Sequence, residues 1–84
     1  MTREIVYTAH ALTAMRERDL PKEWVERTVL QPDWTEPDPR DPAAMRYFRS
    51  IVECEGRHLR VVLVQTDQNT RILTAFLDRG ARPK

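Results

Sequence analysis

Hydrophobic and polar residues follow a helical period in the first third of the chain, after one short apolar segment. The segment EIVY at residues 4–7 predicts a strand, and Thr8 is a suitable N-cap for a helix over residues 9–18. An apolar arc on that helix would face the core. It consists of Ala11, Leu12 and Met15.

A second helix is predicted immediately after the break at DLP. Pro21 suits the first position of this helix, and Pro32 stops it. One face of the helix carries Pro21, Trp24, Val25, Thr28 and Val29. Because the break between the two helices is short, the pattern predicts an antiparallel helical hairpin.

A proline-rich acidic segment follows over residues 31–45. It contains four prolines and four acidic residues, which argue against regular structure. The pattern therefore predicts a long loop, and Trp34 is expected to attach this loop to the body of the domain.

The last part of the chain changes to strand character. The runs RYFRSIVEC, HLRVVLVQT and RILTAFL are rich in β-branched and aromatic residues, and EGR and DQNT separate them. A two-residue turn at Gly56–Arg57 would set Glu53 opposite Arg60. One face would then carry Arg49, Ile51, Glu53, Arg60, Val62 and Val64. The more apolar face, expected to meet the helices, would carry Phe48, Ser50, Val52, Cys54, Leu59, Val61 and Leu63.

Together these elements predict one domain over residues 1–84 with the order β-α-α-β-β-β. The fold class is α+β, with the helical hairpin packed on one side of an antiparallel sheet.

Composition and charge narrow the function only slightly. The net charge is +1, but residues 31–45 carry −3 and residues 46–84 carry +4. Twelve of the fourteen basic residues are arginine, which suits bidentate binding of phosphate, although an arginine-favouring genome explains the same bias.

The single cysteine, Cys54, excludes an internal disulfide and fits a reducing compartment. With neither a signal peptide nor an apolar run long enough for a membrane span, a cytoplasmic protein is expected.

Several familiar sites are excluded by spacing. The two glycines, Gly56 and Gly80, cannot form a phosphate-binding loop. His10, His58 and Cys54 lack the spacing of zinc ligands, and the acidic loop lacks the glycine of a calcium loop. The sequence therefore predicts neither a metal nor a cofactor.

The segment HALTAMRERDLPKEWVERTVLQP, with the later LRVVLVQT and ILTAFLDR, resembles small bacterial toxins of the RelE/ParE/BrnT group. The resemblance implies a RelE-like helical hairpin on a sheet and a cognate antitoxin as partner. RelE-like members cut mRNA without a metal, often on the ribosome, whereas ParE-like members inhibit gyrase. Active RelE-like enzymes tend to use a C-terminal tyrosine and several lysines. The chain departs from this pattern, because its tyrosines are Tyr7 and Tyr47 and its lysines are Lys22 and Lys84.

Five residues are candidates for a site on RNA. His10 is the candidate acid or base, since imidazole exchanges protons near neutral pH. Arg49 and Arg60 would stabilise the phosphorane from an open strand face. Arg18, which shares a helical strip with His10, and Arg79, just after the last strand, would bind phosphate.

Each candidate has a structural alternative. His10 could be a half-buried residue that bonds a backbone carbonyl, and Arg18 could pair with a carboxylate across the hairpin. Arg49 and Arg60 could lie on a solvated strand face, and Arg79 could be part of a loose end after the last strand. His58 is expected to be merely exposed. Two functions therefore stay open: a metal-independent endoribonuclease toxin that acts on RNA, and a non-catalytic protein-binding module of the same fold, either a ParE-like inhibitor or an antitoxin-binding partner.

Overall fold

A computed structural model describes residues 4–82 of the chain. Its helices are α1 (Ala9–Glu17) and α2 (Lys22–Leu30). Its strands are β1 (Glu4–Tyr7), β2 (Trp34–Pro37), β3 (Met45–Ile51), β4 (Arg57–Gln65) and β5 (Asn69–Leu77). The predicted α+β class and the short first strand are confirmed.

The two predicted helices and the short turn between them are present. Thr8 caps α1, because its Oγ1 accepts a hydrogen bond of 3.0 Å from the Ala11 backbone N–H. Asp19 ends the turn after α1 in the left-handed region with φ 53°, and Leu20 then returns to the core at 5% exposure. The predicted apolar arc shifts slightly, since Leu12 is 42% exposed and Ala14 takes the buried position.

The sheet is mixed, which corrects the prediction of an antiparallel sheet. Its strand order is β1-β5-β4-β3-β2. Strand β1 pairs in parallel with β5, whereas the other neighbouring pairs are antiparallel. Both helices and strands β2, β3 and β4 lie between β1 and β5 in the sequence, although β5 is the neighbour of β1 in the sheet. Parallel pairing requires a long connection of this kind.

The proline-rich segment is not a structureless loop, and this prediction was wrong. Residues Trp34–Pro37 form β2, an edge strand paired with β3. An edge position tolerates Pro37, because one side of such a strand needs no N–H donors. The Asp38 N–H donates to the carbonyl oxygen of Ala44 at 3.1 Å, so only the residues between them form an open loop.

The predicted two-residue turn after β3 was also wrong, and the error reverses the faces of β3. That strand ends at Ile51, and the chain then makes a short 3-10 turn at Val52–Cys54 before two positive-φ residues, Glu55 and Gly56. Ile51 therefore pairs with Arg57, and Phe48 pairs with Arg60. Since side chains alternate with a period of two, such a slip moves every β3 side chain to the opposite face.

Both helices cover the same face of the sheet. Helix α1 lies against β5, and α2 lies against β4 and β3. The core between these layers contains Ala11, Met15, Leu20, Val25, Ile51, Leu59, Val61, Leu63, Ile72 and Ala75. The opposite face of the sheet, which neither helix covers, is called the open face below. Among residues 4–82, no helix is long and apolar enough to cross a membrane.

Candidate functional site

The open face is defined by residues that alternate with the core positions of the central strands. Leu59, Val61 and Leu63 of β4 point to the helices, so His58, Arg60 and Val62 lie on the open face. The strand register adds Trp34 and Phe48 in one row with Arg60, and Glu36 and Arg46 in the next row with Val62. This face contains a cleft of about 460 Å³. The cleft is lined by Trp34, Glu36, Arg46, Phe48, Arg60, Asp78, Gly80, Ala81 and Arg82.

An aromatic stack forms one wall of the cleft. The rings of Trp34 and Phe48 lie nearly parallel, with centroids 4.6 Å apart and planes 9° apart. His58 meets the Trp34 ring edge-on at 5.1 Å and is half-buried, so the expectation that His58 is merely exposed was wrong. Phe48 is only 3% exposed, although it is outside the helix-covered core. Trp34 therefore attaches β2 to the sheet, as predicted for the segment, and does so on the open face.

Two arginines and three carboxylates form a charge network in and beside the cleft. Arg46 Nη1 lies 3.7 Å from Glu36 Oε1, and Arg46 Nε lies 3.6 Å from Asp38 Oδ2. Arg60 Nε lies 3.4 Å from Asp78 Oδ2, while the Arg60 guanidinium stands over the Phe76 ring at 4.3 Å. These N–O separations are longer than the roughly 2.7–2.9 Å of a charge-assisted hydrogen bond. These contacts are therefore ion pairs with long N–O separations.

The environment of Arg60 disfavours its charge. Desolvation by the surrounding residues lowers the pKa of Arg60 below its ordinary value, and the nearby Asp78 carboxylate partly offsets this effect. The Arg46 guanidinium lowers the pKa of Arg60 as well, because like charges repel. The two arginines come from adjacent rows of the neighbouring strands β3 and β4, and an anion between them would reduce the repulsion of their charges.

Unpaired hydrogen-bond donors are concentrated in the cleft. Among the described residues, the buried side-chain N and O atoms without a hydrogen-bond partner are Trp34 Nε1, Arg46 Nε, Arg49 Nε and Arg60 Nε. Three of these four atoms belong to residues that line the cleft. For Arg46 and Arg60 a carboxylate lies within ion-pair distance, but the alignment does not make a hydrogen bond. Buried polar atoms are rarely left unpaired in proteins, so this group of donors distinguishes the cleft from the rest of the described sheet.

The segment after β5 closes one side of the cleft. The Asp78 backbone N–H donates to the carbonyl oxygen of His58 at 2.9 Å, and Asp78 Oδ1 accepts from the Gly80 N–H at 2.9 Å. Asp78 thereby holds the start of the segment next to β4 and keeps its second oxygen near Arg60. Arg79, predicted to bind phosphate, is exposed in this segment, beside the cleft-lining Gly80.

The other predicted site residues lie elsewhere. Arg49 does not share a face with Arg60, because the register sets Arg49 opposite Leu59 on the helix side. Its Nη1 donates to the carbonyl oxygen of Gln31 at 2.6 Å and lies 3.8 Å from Asp33 Oδ1, so it ties the end of α2 to β3.

His10 and Arg18 are both exposed on or at the end of α1, in the layer on the far side of the sheet. The half-buried alternative for His10 was therefore wrong. Of the five predicted residues, the structure brings Arg60 and Arg79 to the cleft region and separates them from His10, Arg18 and Arg49.

Several cleft residues were missed because β2 was not recognised. Trp34 and Glu36 line the cleft from β2, where half-buried residues alternate with exposed ones, but the polar residues between the prolines give no apolar alternation in the sequence that would indicate a strand. Arg46 was missed because the turn length assigned β3 to the wrong faces. In residues 4–82, no group of three or more His, Cys, Asp or Glu side chains is arranged to hold a metal ion.

Comparison with family models identifies the family to which the chain belongs. A domain of unknown function, DUF4258, matches residues 7–77, which include both helices, β2 to β5 and all cleft residues except Asp78 and the segment after it. Curated proteins gave no match, and neither did solved structures. Because the match covers most of the 84 residues, the chain belongs to the DUF4258 family.

Proposed function

We propose that this chain is a toxin-like domain that binds single-stranded RNA in the open-face cleft and cleaves it without a metal ion. The observation that carries the proposal is the set of guanidinium donors on Arg46 and Arg60, which lie 3.4–3.7 Å from carboxylates beside the Trp34–Phe48 stack. Such donors suit a ligand rich in acceptor oxygens, and the phosphodiester is the part of RNA with the most of them. A RelE-like topology, a cognate antitoxin and the ribosome as a partner belong to the same proposal, supported by the sequence resemblance.

Arg60 and Arg46 are the proposed phosphate ligands. Their guanidinium groups lie 3.4–3.7 Å from the carboxylates of Glu36, Asp38 and Asp78. A phosphate oxygen could accept from both groups at once, which would replace long ion pairs by short charge-assisted bonds. With two phosphate contacts, the logarithm of the binding constant should fall with the logarithm of salt concentration with a slope of roughly −1.4, at about −0.7 per contact for a single strand.

Trp34 is the proposed stacking surface for a base. It lines the cleft, and Phe48 supports one face of its ring at 4.6 Å. A ring held in this way loses little freedom when a base stacks on it, and such stacking contributes about 1–3 kcal/mol per base. A single-stranded ligand is favoured, since the bases of a duplex are already stacked on each other.

The cleavage chemistry would follow the metal-free route through the 2′-hydroxyl. A carboxylate, for which Asp78 is the candidate in the cleft, would take the 2′-hydroxyl proton while the 2′ oxygen bonds to the adjacent phosphorus. The bond to the 5′ oxygen breaks, and that oxygen leaves with a proton from an acid, for which His58 is the candidate. Arg60 and Arg46 would stabilise the charge on the phosphorane. The products are a 2′,3′-cyclic phosphate and a 5′-hydroxyl.

The test uses a fluorescent single-stranded RNA of mixed sequence in the presence of EDTA, with binding and cleavage measured over a series of salt concentrations. We expect Arg60→Gln and Arg46→Gln each to weaken binding and to reduce the salt slope by about 0.7. Arg49→Gln is the matched control, because Arg49 is on the helix side of the sheet. All variants should first be shown to melt cooperatively, so that loss of binding is not loss of fold.

Three outcomes distinguish the site from its rivals. Equal binding and salt slopes for Arg60→Gln, Arg49→Gln and the parent would reject the cleft as the RNA site. Loss of cleavage in His10→Gln with unchanged binding would instead support the predicted catalytic role of His10 on α1. If the parent neither binds nor cleaves RNA, the proposed function is wrong.

A non-catalytic protein-binding module is the second candidate, and the charge balance of the cleft favours it. Arg46, Arg60 and Arg82 stand against Glu36, Asp38 and Asp78, so the region is close to neutral rather than strongly basic. Tryptophan and arginine are also the residues most enriched at binding hot spots. Inducible expression in a bacterium separates the two functions, because growth arrest with intact transcripts, abolished by Trp34→Ala, would indicate a protein target.

A further inference from the structure

We infer that the cleft selects guanine among the RNA bases, with Glu36 and Arg46 as the residues that determine the base. This inference rests on the proposed function and names the substrate class of the same site. It comes from the order of the rows across the open face. Trp34 and Phe48 form one cross-strand pair, and Glu36 and Arg46 form the next pair on the same two strands.

The geometry brings a stacking surface and a charged pair side by side. Successive residues on the same face of a strand are about 7 Å apart, which is close to the length of a purine ring system. A base stacked on Trp34 would therefore direct one edge at the neighbouring Glu36–Arg46 pair. The pair is half-buried, with 22% of each side chain exposed, so its contacts with a base would be partly shielded from water.

Guanine is the base whose edge matches an adjacent cation and carboxylate. Its O6 and N7 atoms are acceptors, which arginine recognises as a pair. Its N1–H and N2–H groups are donors, which one carboxylate can accept together. Adenine has no such pair of adjacent ring-edge donors, and cytosine and uracil lack the paired O6 and N7 acceptors. O6 and N1–H are neighbours on guanine, as Arg46 Nη1 and Glu36 Oε1 are neighbours 3.7 Å apart.

The two arginines then have different roles. Arg46 pairs with Glu36 on the base-reading row, whereas Arg60 is in the row of Trp34 and Phe48, near Asp78. Arg60 therefore contacts only the phosphate, whereas Arg46 contacts the base in addition to the phosphate. Replacing Arg60 should weaken every nucleotide equally, and replacing Glu36 should weaken guanine selectively.

The experiment measures the binding of GMP, IMP, AMP, CMP and UMP to the intact chain by calorimetry. We expect GMP to bind at least about tenfold more tightly than AMP, with IMP between them because it lacks the N2 amino group. Glu36→Gln should reduce GMP affinity about tenfold and leave AMP within about twofold. Glu17→Gln, at an exposed acid on α1, is the matched control and should change neither.

A second arm uses oligoadenylate RNA with and without one central guanine. A preference for guanine in both arms supports the inference together with RNA as the source of the base. Binding of GMP without binding of either oligonucleotide would keep the guanine site and reject the RNA function. Oligonucleotide binding with equal affinities for all bases would reject guanine selection and leave the RNA function standing. No binding in either arm would overturn both.

Discussion

Ile51 and Val52 are neighbours whose substitution tests the register of the β3–β4 hairpin. In the structure Ile51 is 0% exposed and belongs to the core, whereas Val52 is 80% exposed in the 3-10 turn. A two-residue turn would have reversed them, with Val52 facing the helices. Ile51→Ala and Val52→Ala therefore give opposite results for the two registers.

The expected magnitudes differ several-fold. Truncation of a fully buried isoleucine removes its transfer free energy and leaves a cavity, at a cost of roughly 2–5 kcal/mol in the free energy of unfolding. A domain of this size has a total stability of about 4–13 kcal/mol, so Ile51→Ala would remove a large share of it. At about 4–8 °C per kcal/mol, a loss near 3 kcal/mol lowers the melting temperature by roughly 12–24 °C. Val52→Ala should change the free energy of unfolding by no more than about 0.5 kcal/mol.

Equilibrium unfolding in urea, followed by circular dichroism, measures both variants against the parent. If the free energy of unfolding falls with urea concentration at the same slope in all three proteins, each exposes the same surface on unfolding, and the midpoints can be compared directly. A Val52→Ala variant as destabilised as Ile51→Ala, or more so, would refute the observed register and with it the assignment of Phe48 and Arg46 to the open face.

Three further predictions concern polar contacts on the helix side. The hydrogen bonds from Arg27 lower the pKa of Glu53 from its ordinary 4.5 to about 2, so the stability from this pair is present above pH 4.5 and is lost as the pH falls towards 2. Between pH 4.5 and 2, the urea midpoint of Glu53→Gln should therefore change less with pH than that of the parent. Burial and the hydrogen bond to Glu26 raise the pKa of Tyr7, so the contribution of the Tyr7 hydroxyl to the free energy of unfolding should be lost as the pH rises above its ordinary pKa of 10. At pH 7, Tyr7→Phe should cost about 1 kcal/mol in the same assay. Thr8→Ala should cost about 1 kcal/mol through the lost helix cap, and a change within error would mean that solvent replaces the cap.

The two helices and the turn between them could be predicted because the residues that delimit them are local in sequence. Thr8, the break at Asp19–Pro21 and the stop at Pro32 lie next to the elements they delimit, and each acts through its own backbone. Strand identity in the last part of the chain was equally local, since β-branched and aromatic residues are concentrated there. The faces of β4 followed correctly from its simple alternation, with Leu59 and Val61 in the core.

The faces of β3 could not be predicted because they depend on the length of one turn. The sequence EGR allows a tight turn, yet the chain continues from Ile51 through a 3-10 turn, and Glu55 then adopts a positive φ of 57°. Glu53 is held in that turn by Arg27 of α2, with bonds of 2.8 and 2.9 Å. A contact between residues 26 positions apart thus stabilises the turn, and no local propensity indicates it.

Arg27 and Arg60 differ in their contacts, and the difference indicates why the open-face cleft, rather than the contact between α2 and the turn after β3, is the candidate site. Arg27 binds Glu53 through two short hydrogen bonds and Glu23 through a third at 3.1 Å, so its donors are largely used within the fold. Arg60 has a carboxylate at 3.4 Å, an aromatic ring beneath it and an Nε–H that is buried without a hydrogen bond. The first arrangement stabilises the folded chain, and little would be gained by a ligand there. The surroundings of Arg60 desolvate its guanidinium during folding, so a ligand that binds there would not have to supply all of that free energy. If the proposed function holds, a site formed in this way would need few charges to bind a phosphate, which would reconcile a nearly neutral cleft with an anionic ligand.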